Sequence, residues 1–300
     1  MNLDDLSRST MLVTGGNTGI GFETVVGLAR TGAHVVFTAR SMAKGEEARR
    51  EAVSRSGSSR VEMMQLDLAS FASIRDFARE FLDRHDRLDV LINNAGLAPA
   101  GHRWETAEGF EATFGVNHLG HFLLTSLLLD RIIASAPARI VVVSSGAHAV
   151  APNGLCFDDL QHEREFHSMR VYGESKLANI YFARELATRL SGTGVTVNAL
   201  NPGYVATDLG RIRPEDEALA IRPPVPATTA PANNLTANLP APMSAEDGAK
   251  TTLLLALAPE LSDVTGEYFS ECRRQPLGTV AADDEAARHL WQISNELILR

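Results

Sequence analysis

The chain lacks three features that would place it outside a reducing, aqueous compartment. It has only two cysteines, Cys156 and Cys272, which excludes a disulfide scaffold and a cysteine-rich zinc site. Its longest apolar run, at 253–258, is far shorter than the ~20 residues that cross a bilayer. Residues 1–10 contain no apolar signal-peptide core. We therefore expect a cytoplasmic protein without a membrane span.

Positive charge is also scarce. The chain carries 28 Lys and Arg residues against 37 Asp and Glu residues, a formal net charge of -9. Nucleic acids and anionic membranes bind basic surfaces, so this acidity argues against both partners. Hydrophobic residues make up 44% of the 300 residues, which excludes a disordered chain and suffices for a large buried core.

Short β-rich runs alternate with helical patterns along the chain, which is typical of a parallel sheet covered by helices on both faces. Strands are predicted at 9–14, 34–38, 61–66, 90–93, 139–144, 195–200 and 267–270. Helices are predicted at 20–31, 43–55, 70–84, 105–131, 172–190, 245–258 and 283–299. The pattern predicts an α/β fold: one doubly wound domain over residues 1–300, with a parallel seven-stranded sheet.

One segment interrupts this alternation. Residues 211–242 hold seven of the 13 prolines and have little hydrophobic periodicity. Loops of this length are usually functional lids or disordered segments. We therefore expect an irregular, proline-rich loop here.

The first predicted strand leads into a glycine-rich turn that opens the first helix, with the sequence Thr14-Gly15-Gly16-Asn17-Thr18-Gly19-Ile20-Gly21. Glycine lets the backbone turn sharply and approach a pyrophosphate, and the helix N-terminus supplies unpaired N–H groups. Glycine clusters also form ordinary turns. The position at the first strand-to-helix junction is what favours a dinucleotide site.

The residue after the second predicted strand bears on the choice of dinucleotide. An acidic residue there would accept hydrogen bonds from the adenosine ribose of NAD. The chain has Arg40 instead, and a guanidinium can pair with a 2′-phosphate. Residues 40–60 contain six basic and three acidic side chains, although a solvated helix face explains most of these charges. We predict NADP(H) in preference to NAD(H), with Arg40 and Lys44 in its site.

Tyr172 and Lys176 have the spacing Tyr-x-x-x-Lys at the start of a predicted helix. Residues four apart share a helix face, so the ammonium can lie near the phenol and lower its pKa toward the range useful for proton transfer. The spacing alone is common by chance, and an exposed Tyr beside a solvated Lys is the alternative. The neighbouring motifs favour the catalytic interpretation.

Those motifs are polar residues at the ends of other predicted strands and in one helix. Asn93 and Asn94 end the fourth strand, and Ser144 and Ser145 follow the fifth. Ligands of such sheets bind beyond the carboxyl ends of the strands, so these side chains should converge. We expect Ser145 to donate to a substrate carbonyl and Asn117 to hold a water that links the lysine to solvent.

Together these motifs resemble a short-chain dehydrogenase/reductase of the classical type, over nearly the whole chain. The matching residues are Thr14 to Gly21, Asp67-Leu68, Asn93 to Gly96, Asn117, Ser145, Tyr172, Lys176 and Asn201-Pro202-Gly203. The resemblance implies a Rossmann fold and a catalytic tetrad of Asn117, Ser145, Tyr172 and Lys176. It implies that the cofactor is bound by Gly15, Asn17, Thr18, Gly19, Ile20, Gly21, Arg40, Lys44, Asp67, Leu68, Asn94, Ala95, Gly96, Tyr172, Lys176, Pro202, Gly203, Val205 and Thr207.

Finer features resemble the retinol dehydrogenase-like branch of that family, including its WW-domain oxidoreductase relatives. They include the segments 38–40, 114–122, 157–160, 172–179, 265–270 and 290–294. The resemblance implies an NADP(H)-dependent enzyme that interconverts a bulky lipophilic alcohol with its aldehyde or ketone, with 211–242 over the substrate. A ketoreductase of secondary metabolism, acting on a polyketide or polycyclic ketone, and a non-catalytic nucleotide-binding regulatory protein are the alternatives.

Two further expectations concern metal ions and assembly. His118 and His121 lie three apart on a predicted helix, but two histidines without a third ligand are a weak zinc signal, so we expect no metal. The helices predicted at 105–131 and 172–190 form a dimer surface in many relatives. Their apolar residues are equally consistent with covering the sheet, so a homodimer stays open.

Overall fold

The fold is known from a computed structural model that describes residues 6–98, 102–205, 222–225 and 241–299. Its centre is an eight-stranded sheet built from β1 (Thr10–Val13), β2 (His34–Ala39), β3 (Val61–Gln65), β4 (Val90–Asn93), β6 (Ala138–Val143), β7 (Val195–Asn201), β9 (Tyr268–Ser270) and β10 (Arg273–Gln275). The spatial order is β10-β9-β7-β6-β4-β1-β2-β3. The chain has the α/β Rossmann fold that the sequence predicts.

The strand count differs from the prediction of a parallel seven-stranded sheet. Seven strands are parallel, but β10 adds an eighth strand antiparallel to β9. Glu271 and Cys272 form the connecting turn with φ angles of 51° and 58°, in the left-handed region. The Arg273–Gln275 strand is largely exposed and polar, so it has no hydrophobic pattern by which to predict it.

Helices cover both faces of the sheet. The cluster on one face includes side chains of α3 (Phe71–Arg84), α5 (His121–Ala134), α6 (Ser168–Arg189) and α8 (Asp284–Ile298). The other face packs against α1 (Gly19–Ala29), α2 (Met42–Ser56) and α7 (Ala245–Leu257). Both faces are therefore buried, which is why the central strands are continuous apolar runs. Serine caps begin several helices: Ser41 accepts from the Lys44 N–H and Ser70 from the Ser73 N–H.

The predicted helix at 105–131 is wrong at its N-terminal end. That stretch opens with β5 (Arg103–Glu105), and α4 (Ala112–Phe114) begins only after a turn at Gly109, whose φ is 88°. Glu111 sets the start, because its carboxylate accepts from the N–H groups of Thr113 and Phe114. A π-helical segment, Gly115–Gly120, then leads into α5.

Part of the proline-rich segment is described. The backbone of β8 (Arg222–Val225) pairs antiparallel with β5, so this stretch is a strand within a segment predicted to be irregular. Residues 206–221 and 226–240 lie outside the described residues. The helix predicted at 172–190 begins earlier than expected, at Ser168.

Candidate active site

A cleft of about 1650 Å³ opens at the carboxyl ends of the parallel strands. It brings together most of the residues that the sequence singles out for the cofactor and catalysis. Those that line it are Gly15, Asn17, Thr18, Gly19, Ile20, Gly21, Arg40, Lys44, Asp67, Leu68, Asn94, Ala95, Gly96, Ser145, Tyr172, Lys176, Pro202, Gly203 and Val205. Asn117 is fully buried behind the cleft wall, and Thr207 lies outside the described residues.

The glycine-rich turn forms one end of the cleft. Gly15 has a φ of 63°, and its N–H donates to Thr38 Oγ1 at 3.2 Å. The α1 helix then begins at Gly19 without a side-chain cap on its first N–H groups and without an acidic residue in its first turn. An uncapped helix N-terminus beside a wide cleft is an arrangement that binds phosphate.

The packing of this turn explains why it requires glycine. A Cβ on Gly21 would lie 2.2 Å from the Gly15 carbonyl oxygen and 2.5 Å from Asn94 Nδ2. Asn94 Nδ2 donates to the Thr14 carbonyl at 2.8 Å, which ties the end of β4 to the turn. The turn, the uncapped helix and the adjoining cleft therefore fit the pyrophosphate of a dinucleotide.

Arg40, Lys44, Asp67 and Leu68 line the arm of the cleft beyond the glycine-rich turn. The Arg40 backbone is held in place because its carbonyl accepts from Gln65 Nε2 at 2.8 Å. This arm suits an adenosine group.

The positive charge that residues 40–60 offer a ligand is smaller than their number of basic side chains suggests, because some of these side chains pair with acidic ones. Arg55 forms a two-pronged ion pair with Glu23 of α1, with both N–O distances at 2.8 Å. Arg49 pairs with Glu46 within α2 at 2.9 Å. Two acidic side chains, Glu47 and Glu51, also line the cleft.

Ser145 and Tyr172 meet at the other end of the cleft. Ser145 follows β6 and caps the short 3-10 helix Gly146–Val150, where its Oγ accepts from the Ala147 N–H at 3.1 Å. Burial raises the pKa of the Tyr172 phenol, and a hydrogen bond with the Ser145 side chain opposes that rise. The phenol is therefore protonated at neutral pH, the form that can donate a proton.

The structure does not reproduce the predicted effect of Lys176 on Tyr172. Lys176 Nζ lies 5.7 Å from the centre of the Tyr172 ring and 3.3 Å from the Val143 carbonyl, to which it donates. Burial lowers the pKa of the lysine to about 8, because few groups solvate the ammonium. The Tyr172 pKa is raised by its own burial rather than lowered by this cation.

Asn117 lies beside the cleft, where its side chain links two segments of the backbone. It lies in the π-helical segment, with its Oδ1 accepting from the Leu97 N–H at 2.7 Å. Its Nδ2 donates to the Leu97 carbonyl and to Ser175 Oγ, both at 2.9 Å. The side chain therefore links the loop that follows β4 to α6, next to Lys176. π-helical turns are frequent at functional sites.

His121 is a residue at this site that the sequence analysis did not assign to it. Its Nε2 lies 2.8 Å from Thr14 Oγ1, and its Nδ1 lies 3.0 Å from the Asn117 carbonyl. Thr14 Oγ1 in turn accepts from the N–H groups of Asn94 and Ala95. One buried imidazole thus connects the glycine-rich turn with the Asn117 segment. In the sequence, only its position four residues after Asn117 indicated that His121 could lie at this site.

His118, in the π-helical segment, should make the stability of the folded protein sensitive to acid. Burial lowers the pKa of His118 to about 3, so the folded protein keeps this imidazole neutral while the unfolded chain protonates it below pH ~6.5. The unfolded state then binds more protons, and stability falls as the pH drops through 6 toward 4. In His118→Gln, we expect the loss of unfolding free energy per pH unit to decrease by about 1 kcal/mol, measured by urea titrations.

Ser294→Ala is the matched control. Ser294 Oγ is the hydrogen-bond partner of His118 Nε2 at 2.7 Å, so this variant removes the same bond but retains the titrating ring. It should lose stability equally at pH 4 and pH 6. A pH slope in His118→Gln identical to that of the unmodified protein would contradict the assignment.

Comparison with known proteins identifies the class to which this fold and site belong. The family model for short chain dehydrogenase matches residues 9–157 and 160–218. The chain therefore belongs to the short-chain dehydrogenase family, and it is an oxidoreductase that uses a nicotinamide dinucleotide.

Individual relatives narrow this assignment. Human retinol dehydrogenase 13 is 43% identical over 290 residues, covering 96% of this chain and 84% of that protein. Human retinol dehydrogenase 14 is 43% identical over 304 residues, covering 96% and 86%. A crystal structure of an uncharacterized protein from Mycobacterium paratuberculosis is 33% identical and covers 99% of this chain and 97% of its own, with a TM-score of 0.73. The chain lies in the retinol dehydrogenase-like branch, whose chemistry interconverts alcohols and carbonyl compounds.

A helix that crosses a membrane must be both long and apolar. Across residues 6–98, 102–205 and 241–299, no helix is both long enough and apolar enough to cross a membrane.

Proposed function

We propose that this protein is an NADP(H)-dependent oxidoreductase that interconverts a bulky lipophilic alcohol and its aldehyde or ketone by hydride transfer. One continuous cleft is the main support for this function. It has an uncapped helix N-terminus at one end and a hydrogen-bonded Ser145–Tyr172 pair at the other. The bound dinucleotide would supply the hydride, and the side chains named below would supply orientation and the proton.

The substrate end of the cleft is apolar. Its lining includes Leu97, Val116, Val150, Met169, Tyr204 and Pro242. Met169 and Tyr204 are 41% and 43% exposed, and together with the other apolar lining they form an apolar patch of the kind that marks ligand-binding grooves. An apolar ligand would cover them. This supports a lipophilic substrate, such as the retinoid in the names of its relatives.

Each residue of the predicted tetrad has a proposed role. Ser145 Oγ holds the substrate oxygen, and the neutral Tyr172 phenol donates its proton to that oxygen during carbonyl reduction. Lys176 is a buried cation in the cleft lining and would hold the ribose of the cofactor. Asn117 positions α6 and the β4 loop through its bonds to Ser175 and Leu97.

Arg40→Asp tests the choice of cofactor. The guanidinium would form charge-assisted hydrogen bonds with a 2′-phosphate, and such bonds contribute about 1.5–3 kcal/mol each. We expect NADPH to bind about 10- to 100-fold more weakly to Arg40→Asp. NADH should bind as well as before or better, because a carboxylate there can accept from the ribose. Isothermal titration calorimetry with each cofactor measures both Kd values.

Arg50→Asp is the matched control. Arg50 is an exposed residue of α2 and does not line the cleft, so this variant makes the same charge change outside the site. It should shift NADPH affinity by about twofold at most, since exposed charges are screened by salt. If the two variants have the same NADPH-to-NADH preference as the unmodified protein, Arg40 does not select the cofactor.

Substrate profiling separates this proposal from its alternatives. Retinal, steroid ketones and aromatic polyketides, each offered with NADPH, distinguish a retinoid-like enzyme from a ketoreductase of secondary metabolism. Binding of NADPH without turnover of any of them would favour the non-catalytic nucleotide-binding protein. Three features stay predictions: a single domain over 1–300, a substrate loop at 211–242 and a cytoplasmic location. A homodimer stays open.

A further inference from the structure

Three potential metal ligands meet at the end of the sheet opposite the cleft. His34 begins β2, Glu62 is the second residue of β3, and His85 follows the C-terminus of α3. Their ligand atoms all lie within 4.8 Å of one another. The opposite end of β2, where Arg40 follows, is about 16 Å away at the usual rise per residue. This cluster is therefore separate from the cofactor site.

The geometry of the cluster matches a tetrahedral metal. Glu62 Oε2 lies 3.2 Å from His34 Nε2 and 3.6 Å from His85 Nε2. Zinc binds nitrogen and oxygen at about 2.0–2.2 Å, which puts neighbouring tetrahedral ligands about 3.3–3.5 Å apart. The two measured separations bracket that value. A small displacement of the side chains would place all three atoms around one ion.

The environment of His85 points to a ligand independently of these distances. Its side chain is only 7% exposed, and no group of the described residues lies within hydrogen-bond distance of its buried Nε2, since even Glu62 Oε2 is 3.6 Å away. An unpartnered buried polar atom normally costs stability, so its persistence needs an explanation. The ring is fixed by packing against Phe81, at 4.6 Å between ring centres, and directs Nε2 toward Glu62.

Arg84 orients the carboxylate of the cluster. Its Nη2 lies 2.5 Å from Glu62 Oε1, which leaves Oε2 directed toward the two imidazoles. Metal-binding carboxylates are commonly held in this way by a second group. His34 and Glu62 are 26% and 20% exposed, so an ion can enter from solvent.

We propose that His34, Glu62 and His85 form a zinc site with the fourth position taken by water. The donor set of two imidazoles and one carboxylate suits zinc rather than magnesium or calcium, which prefer oxygen ligands. The ion would join β2, the edge strand β3 and the end of α3, and so act on stability rather than on hydride transfer. No motif in the sequence predicted this site, because the three ligands are far apart along the chain.

The test uses untagged, chelator-treated full-length protein. Zinc titration by calorimetry should show one ion per chain, and Co²⁺ should give the visible absorption of a tetrahedral site. Mg²⁺ should not compete. At a hundredfold excess of Zn²⁺ over Kd, the unfolding temperature should rise by about 5 °C.

His34→Ala is the decisive variant because it leaves the Glu62–Arg84 pair intact. It should weaken zinc binding by at least about tenfold, since loss of even an outer partner costs 10- to 100-fold. His167→Ala is the control: His167 Nε2 lies 2.8 Å from Glu165 Oε1 on the surface, the same pair of groups outside this cluster. The proposal is overturned by absence of zinc binding, or by binding and cobalt absorption that His34→Ala leaves unchanged.

Discussion

Tyr172→Phe is expected to reduce kcat by about 100- to 10,000-fold, the range typical for loss of a general acid or base. The variant keeps the ring and removes only the hydroxyl, the group that hydrogen-bonds with the Ser145 side chain. NADPH affinity should change by no more than about fivefold, because a single neutral hydrogen bond contributes about 1 kcal/mol. Steady-state kinetics with a lipophilic aldehyde and calorimetry with NADPH measure the two quantities.

Tyr181→Phe is the matched control for this prediction. Tyr181 lies on the same helix, α6, and its hydroxyl donates to the Val280 carbonyl at 2.6 Å, away from the cleft. The same chemical change there should cost about 1 kcal/mol of stability and leave kcat unaltered. Comparable kcat values for Tyr172→Phe and Tyr181→Phe would show that the Tyr172 hydroxyl does not transfer the proton.

Gly21→Ala is expected to weaken NADPH binding by more than about 100-fold. A Cβ at this position would lie 2.2 Å from the Gly15 carbonyl oxygen, a distance that real contacts do not reach, so the glycine-rich turn must move. Movement would misalign the N–H groups at the start of α1 that we propose to bind the pyrophosphate. Loss of two charge-assisted hydrogen bonds corresponds to about 3–6 kcal/mol, which gives this change in Kd.

Gly278→Ala makes the same substitution where space is available. Apart from its chain neighbours, no atom of the described residues lies within 4 Å of a Cβ at Gly278, and the residue is not part of the cleft lining. Its NADPH affinity should equal that of the unmodified protein. Circular dichroism of Gly21→Ala checks that the fold persists. A folded Gly21→Ala protein with unchanged NADPH affinity would contradict the assignment of the turn as the phosphate site.

The sequence predicted the central fold because burial on both faces of the sheet leaves a simple signal. β4 matches its prediction at both ends, since Val90–Asn93 is an apolar run followed by polar residues. The glycine-rich turn was predictable because its close packing requires glycine at particular positions. The same reasoning missed β10, whose exposed residues have no apolar pattern.

The parts of the site that were not predicted depend on which residues meet in three dimensions. The bond of Asn117 to Leu97 follows from a π-helical turn, and hydrogen-bond register in a helix has no compositional signal. The pKa of Tyr172 is raised by burial and lowered less by the Ser145 hydrogen bond, and the Tyr-x-x-x-Lys spacing reveals neither. Spacing indicates which side chains share a helix face, but not how deeply they are buried.

We propose that NADPH bound in the cleft transfers a hydride to a lipophilic carbonyl compound and that Tyr172 supplies the proton. The most direct test of this proposal is a turnover experiment with NADPH deuterated at the transferring C4 position, with the alcohol product analysed by mass spectrometry. We expect one deuterium in each product molecule, equal amounts of NADPH consumed and alcohol formed, and almost no product with Tyr172→Phe. Tight NADPH binding without deuterium transfer to retinal, steroid or polyketide carbonyls would contradict it, as would undiminished transfer in Tyr172→Phe.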